Sequence, residues 1–281
     1  MLTLHSDGAS FLNTAQGALE KEEALNNLML GVAMRVRDQP DAYSASPAYL
    51  ATWQHGKVVT YAATMTPPYG LLVASMNEAL DGPVKAVIES LIAGGWPVPS
   101  VNGPAVASAH FARLWSQRTG QTYTTGMRER LFELTAVVFP PTPPGVFRKA
   151  EERDIPTLAR WIEAFAAESI PHDPPPDGER IATQRLDVFY VWDDGGLVSM
   201  MANNRTTTHL ASIGFVYTPP EQRGRGYASA LVAAGSQALL DAGRERCVLF
   251  TDISNPTSNS IYQKIGYRPI ADFELYRFQA P

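Results

Sequence analysis

A chain of 281 residues with 45% apolar and 18% charged content can bury a sizeable core, as one large domain or two ordinary ones. Its 23 basic residues stand against 28 acidic ones, a net charge of −5, which excludes the basic field of a nucleic-acid binder. One cysteine, Cys247, leaves no intrachain disulfide and no cysteine-based metal site, and no stretch is long and apolar enough to cross a membrane.

The first half is expected to open with a charged amphipathic helix over residues 19–36. Residues 49–53 and 57–65 then read as a hairpin around Gln54-His55-Gly56, and residues 70–74 as another short strand. A helix near 83–93 and a strand over 96–101 follow. Asn102-Gly103-Pro104 is read as the opening of a helix that passes Phe111 and Trp115 and stops at Gly120. Residues 131–138 are strand-like. Behind them, Pro140-Pro141-Thr142-Pro143-Pro144 places four prolines in five residues, a stiff extended connector with the texture of a domain boundary. The expected division is a first domain of residues 1–139, a linker of 140–145 and a second domain of 146–281.

The second half restarts with a short strand at Val146 and a helix cap at Asp154. Leu158, Trp161, Ile162 and Phe165 fall at i, i+3, i+4 and i+7, one buried stripe. Residues 170–178 are too rich in proline to be helical, and residues 186–192 and 197–201 make a hairpin around Asp193-Asp194-Gly195-Gly196. The strand ending at Tyr217 stops at Pro219-Pro220. A loop with Gly224 and Gly226 follows, and Tyr227 begins a helix with Leu231, Ala234, Ala238 and Leu239 at helical spacing and Gly243 as its C-cap. Such a loop gathers unpaired backbone N–H groups at a helix start, where the dipole also favours an anion. A phosphate or pyrophosphate is the natural guest; a plain glycine turn is the bland alternative. Neither the dinucleotide-binding fingerprint nor a P-loop is met, since Ser229 stands where the third glycine would be and no Lys-Ser/Thr pair follows. Cys247-Val248-Leu249-Phe250-Thr251 reads as a buried strand in which Cys247 is a small core residue. Asn255-Pro256 then opens a last helix with Tyr262 near its end and Gly266-Tyr267 closing it.

Arg223-x-x-Gly226-x-Ala228 resembles the Arg/Gln-x-x-Gly-x-Gly/Ala signature of the GNAT superfamily of N-acetyltransferases, and residues 255–267 resemble its second signature. The resemblance covers roughly residues 146–278. It implies an α/β (α+β) chain of two GNAT-like domains, each a mixed, mostly antiparallel sheet flanked by helices. A splayed strand pair is implied in the C-terminal one. The first half follows the same element order without the glycine loop, and with Trp115 near the tyrosine slot, so it reads as a degenerate copy; an unrelated α+β domain is the alternative.

The resemblance also implies roles. Phe215, Val216 and Tyr217 would face the pantetheine arm and thioester of acetyl-CoA, and Arg223, Gly224, Arg225, Gly226, Tyr227, Ala228 and Ser229 would hold its pyrophosphate and adenosine side, chiefly through backbone amides, with the arginine side chains secondary and Tyr227 a packing or adenosine contact. Asn255 would cap its helix and touch pantetheine, and Tyr262 would protonate the departing thiolate. The base is open: residues 208–215 carry no carboxylate, leaving Asp252, Glu168 or a water chain, with His209 a weaker option. No metal is implied. The implied function is acetyl transfer to an amine by direct attack in a ternary complex, with a small-molecule acceptor ahead of a protein. No nucleic acid or membrane is involved, and the protein is a monomer or homodimer. The first residues lack a charged, apolar leader, so a cytoplasmic location is expected. A non-catalytic acyl-CoA sensor or scaffold, and more remotely a nucleotide-binding protein, are the competing readings.

Overall fold

The computed structural model describes residues 1–41, 43, 46–77, 79–170 and 175–279. Its contacts divide the chain into two compact units, one of Met1–Leu131 with Thr251–Ser254 and Ile270–Pro281, the other of Phe132–Phe250 with Asn255–Pro269. The proline-rich residues 140–145 fall inside the second unit, and the last strand of the chain belongs with the first.

The chain opens with β1 (Leu2–Leu4), α1 (Gly8–Leu19), α2 (Glu23–Asp38), β2 (Tyr49–His55), β3 (Val58–Met65) and β4 (Leu71–Ser75). There follow α3 (Asp81–Ala93), β5 (Ser100–Pro104), α4 (Ala105–Thr119) and β6 (Thr122–Leu134). The second half runs β7 (Val146–Lys149), α5 (Ile155–Ser169), α6 (Gly178–Gln184), β8 (Phe189–Asp193), β9 (Leu197–Thr206) and β10 (Leu210–Tyr217). It ends with α7 (Tyr227–Asp241), β11 (Arg246–Asp252), α8 (Pro256–Ile265) and β12 (Arg268–Gln279). This is the expected α/β class, with mostly antiparallel pairing and flanking helices.

In the first unit the strands lie in the order β1-β2-β3-β4-β5-β12, followed by β6. From β1 to β12, the pair β4 with β5 is parallel and the other described pairs are antiparallel. Side chains alternate across a strand, so Tyr61, Ala63 and Met65 of β3 pack on α3 and α4 while Ala62 packs on α1 and α2. In the second unit the order is β11-β10-β9-β8-β7. Here too a single pair, β10 with β11, is parallel. Phe189, Val191 and Met200 face α5 and α6, and Ile213, Cys247 and Leu249 face α7 and α8. Cys247 is fully buried, with its thiol pushed up to about 12 by desolvation, a core residue as expected.

Several boundaries depart from the sequence reading. The helix expected over 19–36 is α2, which starts only after a 3-10 turn at Glu20–Glu22, and a further helix not expected from the sequence, α1, precedes it from where Asp7 accepts from the Ser10 N–H at 2.8 Å. Asn102-Gly103-Pro104 is strand, because these residues pair with Leu275, Glu274 and Phe273 of β12, so α4 begins one residue later than Pro104. The strand expected over 131–138 starts at Thr122, and residues 186–188 form a 3-10 turn before β8. The expected loop over 170–178 is partly described: Pro171, His172, Asp173 and Pro174 lie outside the described residues, and Asp177 caps α6 by accepting from the Arg180 N–H at 2.9 Å.

Candidate active site

The candidate site grows from the end of β10. That strand pairs with β11 from Leu210↔Arg246 to Ile213↔Leu249, after which the pairing stops, although β10 continues to Tyr217 and β11 to Asp252. The parting coincides with a bulge: Gly214 opposes Ala202 and Tyr217 opposes Met200, three steps against two on β9. Phe215, inside the bulge, has φ of 51°, a left-handed conformation that costs a side-chain-bearing residue about 1–2 kcal/mol. Its ring is held by Phe165 of α5 at 5.4 Å and Phe189 of β8 at 5.8 Å. Phe215 and Val216 thereby have no register partner on β9, while Tyr217 is paired again with Met200.

The loop after β10 turns at Pro219-Pro220, where Gln222 N–H donates to the Pro219 carbonyl and Arg223 N–H to that of Pro220. Gly224 and Gly226 take φ of 76° and 86°, and Gly226 is the N-cap of α7 without any side-chain cap or acidic residue in the first turn. A Cβ built on either glycine would meet nothing within 4 Å, so glycine is demanded by conformation, and the space above the loop is open. The N–H groups of Gly224, Arg225, Gly226, Tyr227, Ala228 and Ser229 make no backbone hydrogen bond among the described residues. Unpaired N–H groups gathered at a helix start are the arrangement that suits an anion.

The side chains around the cradle are committed differently from the sequence reading. Arg223 turns away from it: Nε donates to the Thr218 carbonyl at 2.9 Å and Nη2 to both oxygens of Glu168, at 2.9 and 2.8 Å. Glu168, a candidate base, is thus the partner of a candidate phosphate ligand. Arg225 is exposed beside Tyr227. The Tyr227 hydroxyl donates to Asp194 Oδ2 at 2.6 Å, which holds its pKa above the usual value. Asp194 sits in the β8–β9 turn and had no signal in the sequence beyond an Asp-Asp-Gly-Gly turn.

On α8, Asn255 Oδ1 accepts from the Ser258 N–H at 3.0 Å, with Pro256 in the first turn and Gly266 at φ 110° closing the helix. The capping role is as expected. Tyr262, seven positions on, is 8% exposed, between Phe132 at 6.4 Å and Tyr267 at 6.0 Å. Burial pushes its pKa up to about 12. Its hydroxyl makes no hydrogen bond among the described residues. Asp252, the other candidate base, accepts from the Ser254 N–H and Oγ, both at 2.7 Å, and its segment packs with the N-terminal unit. His209 lies 3.4 Å from Glu245 at the far, paired end of β10. Among the described residues no group of three His, Cys, Asp or Glu side chains is placed to hold a metal, and no helix is long and apolar enough to cross a membrane.

A parting parallel pair, a bulge, an open glycine loop and a buried tyrosine on α8 are thus features of the C-terminal unit, and the chain has the fold of tandem GNAT proteins. Residues 194–277 match the family model of FR47-like proteins. A stretch of 84 residues is 27% identical to the mycothiol acetyltransferase of Corynebacterium efficiens, covering 30% of this chain and 28% of that protein. The chain therefore spans well under a third of that relative. A GCN5-related N-acetyltransferase from Sphaerobacter thermophilus superposes over 98% of this chain and 95% of its own with a TM-score of 0.63 at 18% identity. A tandem GNAT protein from the clavulanic acid biosynthesis pathway does so over 100% and 99% with a TM-score of 0.59 at 14% identity.

Proposed function

We propose that the chain is an acyl-CoA-dependent N-acyltransferase that moves acetyl from acetyl-CoA directly to an amine in a ternary complex. The observation that carries this reading is the run of unbonded N–H groups from Gly224 to Ser229 at the start of α7, immediately after the strand that parts from β11. The cradle suits the pyrophosphate of coenzyme A. The opened strand ends leave backbone groups for its pantetheine arm and thioester, each donor to the carbonyl being worth a few kcal/mol in the transition state.

In the reaction the amine nitrogen bonds to the acetyl carbon, the C–S bond breaks and the thiolate takes a proton from Tyr262. A phenol held at about 12 keeps its proton throughout the neutral range. Burial acts on a thiol in the same sense, as Cys247 at about 12 illustrates within this unit, so a thiolate released into dry surroundings is a matched acceptor. The amine loses its proton to water: β10 carries no carboxylate, and Glu168 and Asp252 are engaged with Arg223 and Ser254. A small-molecule amine is the proposed acceptor, in keeping with the small-molecule acyltransferase named above and with a net charge of −5 that mildly favours a cation.

The missing carboxylate on β10 is also what a non-catalytic acyl-CoA sensor would show, and one experiment separates the two. Thiol release from acetyl-CoA is followed over a broad panel of amines. Amine-dependent release that is lost in Tyr262→Phe supports the enzyme; tight coenzyme A binding with no release for any amine supports the sensor.

A further inference from the structure

Helix α5 presents three residues along one face, Trp161, Phe165 and Glu168, at i, i+4 and i+7. Each meets a successive part of the cofactor side. Trp161 lies on Tyr217 with ring centroids 6.1 Å apart, Phe165 lies on Phe215 at 5.4 Å, and Glu168 takes Arg223 at 2.8 Å. The Arg223 guanidinium also stands 5.8 Å from the Tyr217 ring and donates to the Thr218 carbonyl. It therefore joins the end of β10, the first turn of the loop and the last turn of α5. With Nε and Nη2 so occupied, the side chain is directed to α5 and not over the helix start at Gly226.

We infer that Glu168 is a positioning residue for cofactor binding: it holds Arg223 as a strut that sets the cradle, and neither side chain serves as base or principal phosphate ligand. The inference rests on the acyl-CoA reading above. Phosphate affinity then comes from the backbone N–H groups of 224–229, and the strut fixes where those groups point. Two half-exposed partners, each 47% accessible, make an ion pair of modest strength.

The test measures coenzyme A affinity by calorimetry, with KM, kcat and the pH profile of thiol release, for wild type, Glu168→Gln, Arg223→Ala and the double variant. Glu168→Gln is expected to weaken coenzyme A binding about three- to fivefold, with kcat and its pH profile unchanged. Arg223→Ala, which also loses the Thr218 contact, is expected to weaken it about tenfold. The double variant should be no weaker than Arg223→Ala, because both changes remove one strut. Three results would overturn the inference: tighter binding in Glu168→Gln, meaning that Glu168 competes with phosphate for Arg223; losses that multiply in the double variant; or a fall in kcat with a shifted pH profile at unchanged affinity, meaning that Glu168 is the base. Absence of any coenzyme A binding by the wild type would instead sink the acyl-CoA reading itself.

Discussion

Both units lead a parallel strand pair into a helix, and they do it in opposite ways. In the C-terminal unit β10 bulges at Phe215 and leaves β11, and α7 begins on Gly226 with no acid in its first turn. In the N-terminal unit β4 and β5 pair at Leu71↔Val101 and Leu72↔Asn102 and stay close beyond that point, since a Cβ on Gly103 would sit 2.5 Å from the Val73 carbonyl. There α3 begins on Asp81 with an ordinary right-handed cap at Leu80, and the Asp81 carboxylate, 2.8 Å from His110, already satisfies the positive end of the helix. The tyrosine slot differs as well: Trp115 stacks on Phe111 at 5.9 Å and gives its indole N–H to Gln121. A shared element order does not carry a shared chemistry. What sets the C-terminal unit apart here is a pair of left-handed glycines before its helix and a strand that parts from its neighbour.

That contrast can be broken most severely at the cradle. Gly226→Trp places a bulky side chain at φ 86°, in the space an anion would fill, and is expected to cost about a hundredfold or more in coenzyme A affinity by calorimetry. Wild-type affinity in that variant would return the loop to a plain turn. Tyr262→Phe should lower kcat about 100- to 10,000-fold while leaving coenzyme A affinity near wild type, measured by thiol release and titration. A parallel loss of affinity would make the ring a binding group and not an acid.

A milder expectation concerns pH. Because burial raises the Tyr262 pKa to about 12, its proton is retained as pH rises, so kcat should climb with amine deprotonation between about pH 6 and 9 without an alkaline fall. A descending limb in that window that vanishes in Tyr262→Phe would contradict the assignment. Asn255→Ala removes an exposed cap and should destabilise the protein by about 1 kcal/mol in denaturant unfolding. Smallest of all, Asp81→Ala is expected to leave coenzyme A affinity and stoichiometry unchanged, since α3 has no glycine cradle to uncover.

How much of this was legible in the sequence follows from how local each feature is. The strand, loop and helix over 216–231 and the caps at Asn255 and Gly266 depend on residues within a few positions of one another, so prolines, glycines and a capping side chain announced them. Phe215 gave no such signal: its positive φ is imposed by Phe165 and Phe189 from other elements. Arg223 read as a secondary phosphate ligand, and not as an ion-pair partner, because Glu168 is 55 positions away. The pairing of β12 with β5, across some 170 residues, was equally invisible, and with it went the placement of Asn102-Gly103-Pro104 in a strand. The start of α2 was placed too early for a smaller reason, since Glu20-Lys21-Glu22 continues a helical charge pattern through what is a 3-10 turn, and α1 before it was not read at all.

The central claim, that one of two similar units holds the acyl donor, is tested most directly by the stoichiometry of coenzyme A binding to the whole chain in a calorimetric titration. The account predicts one site per chain. Two sites, or none, would contradict it.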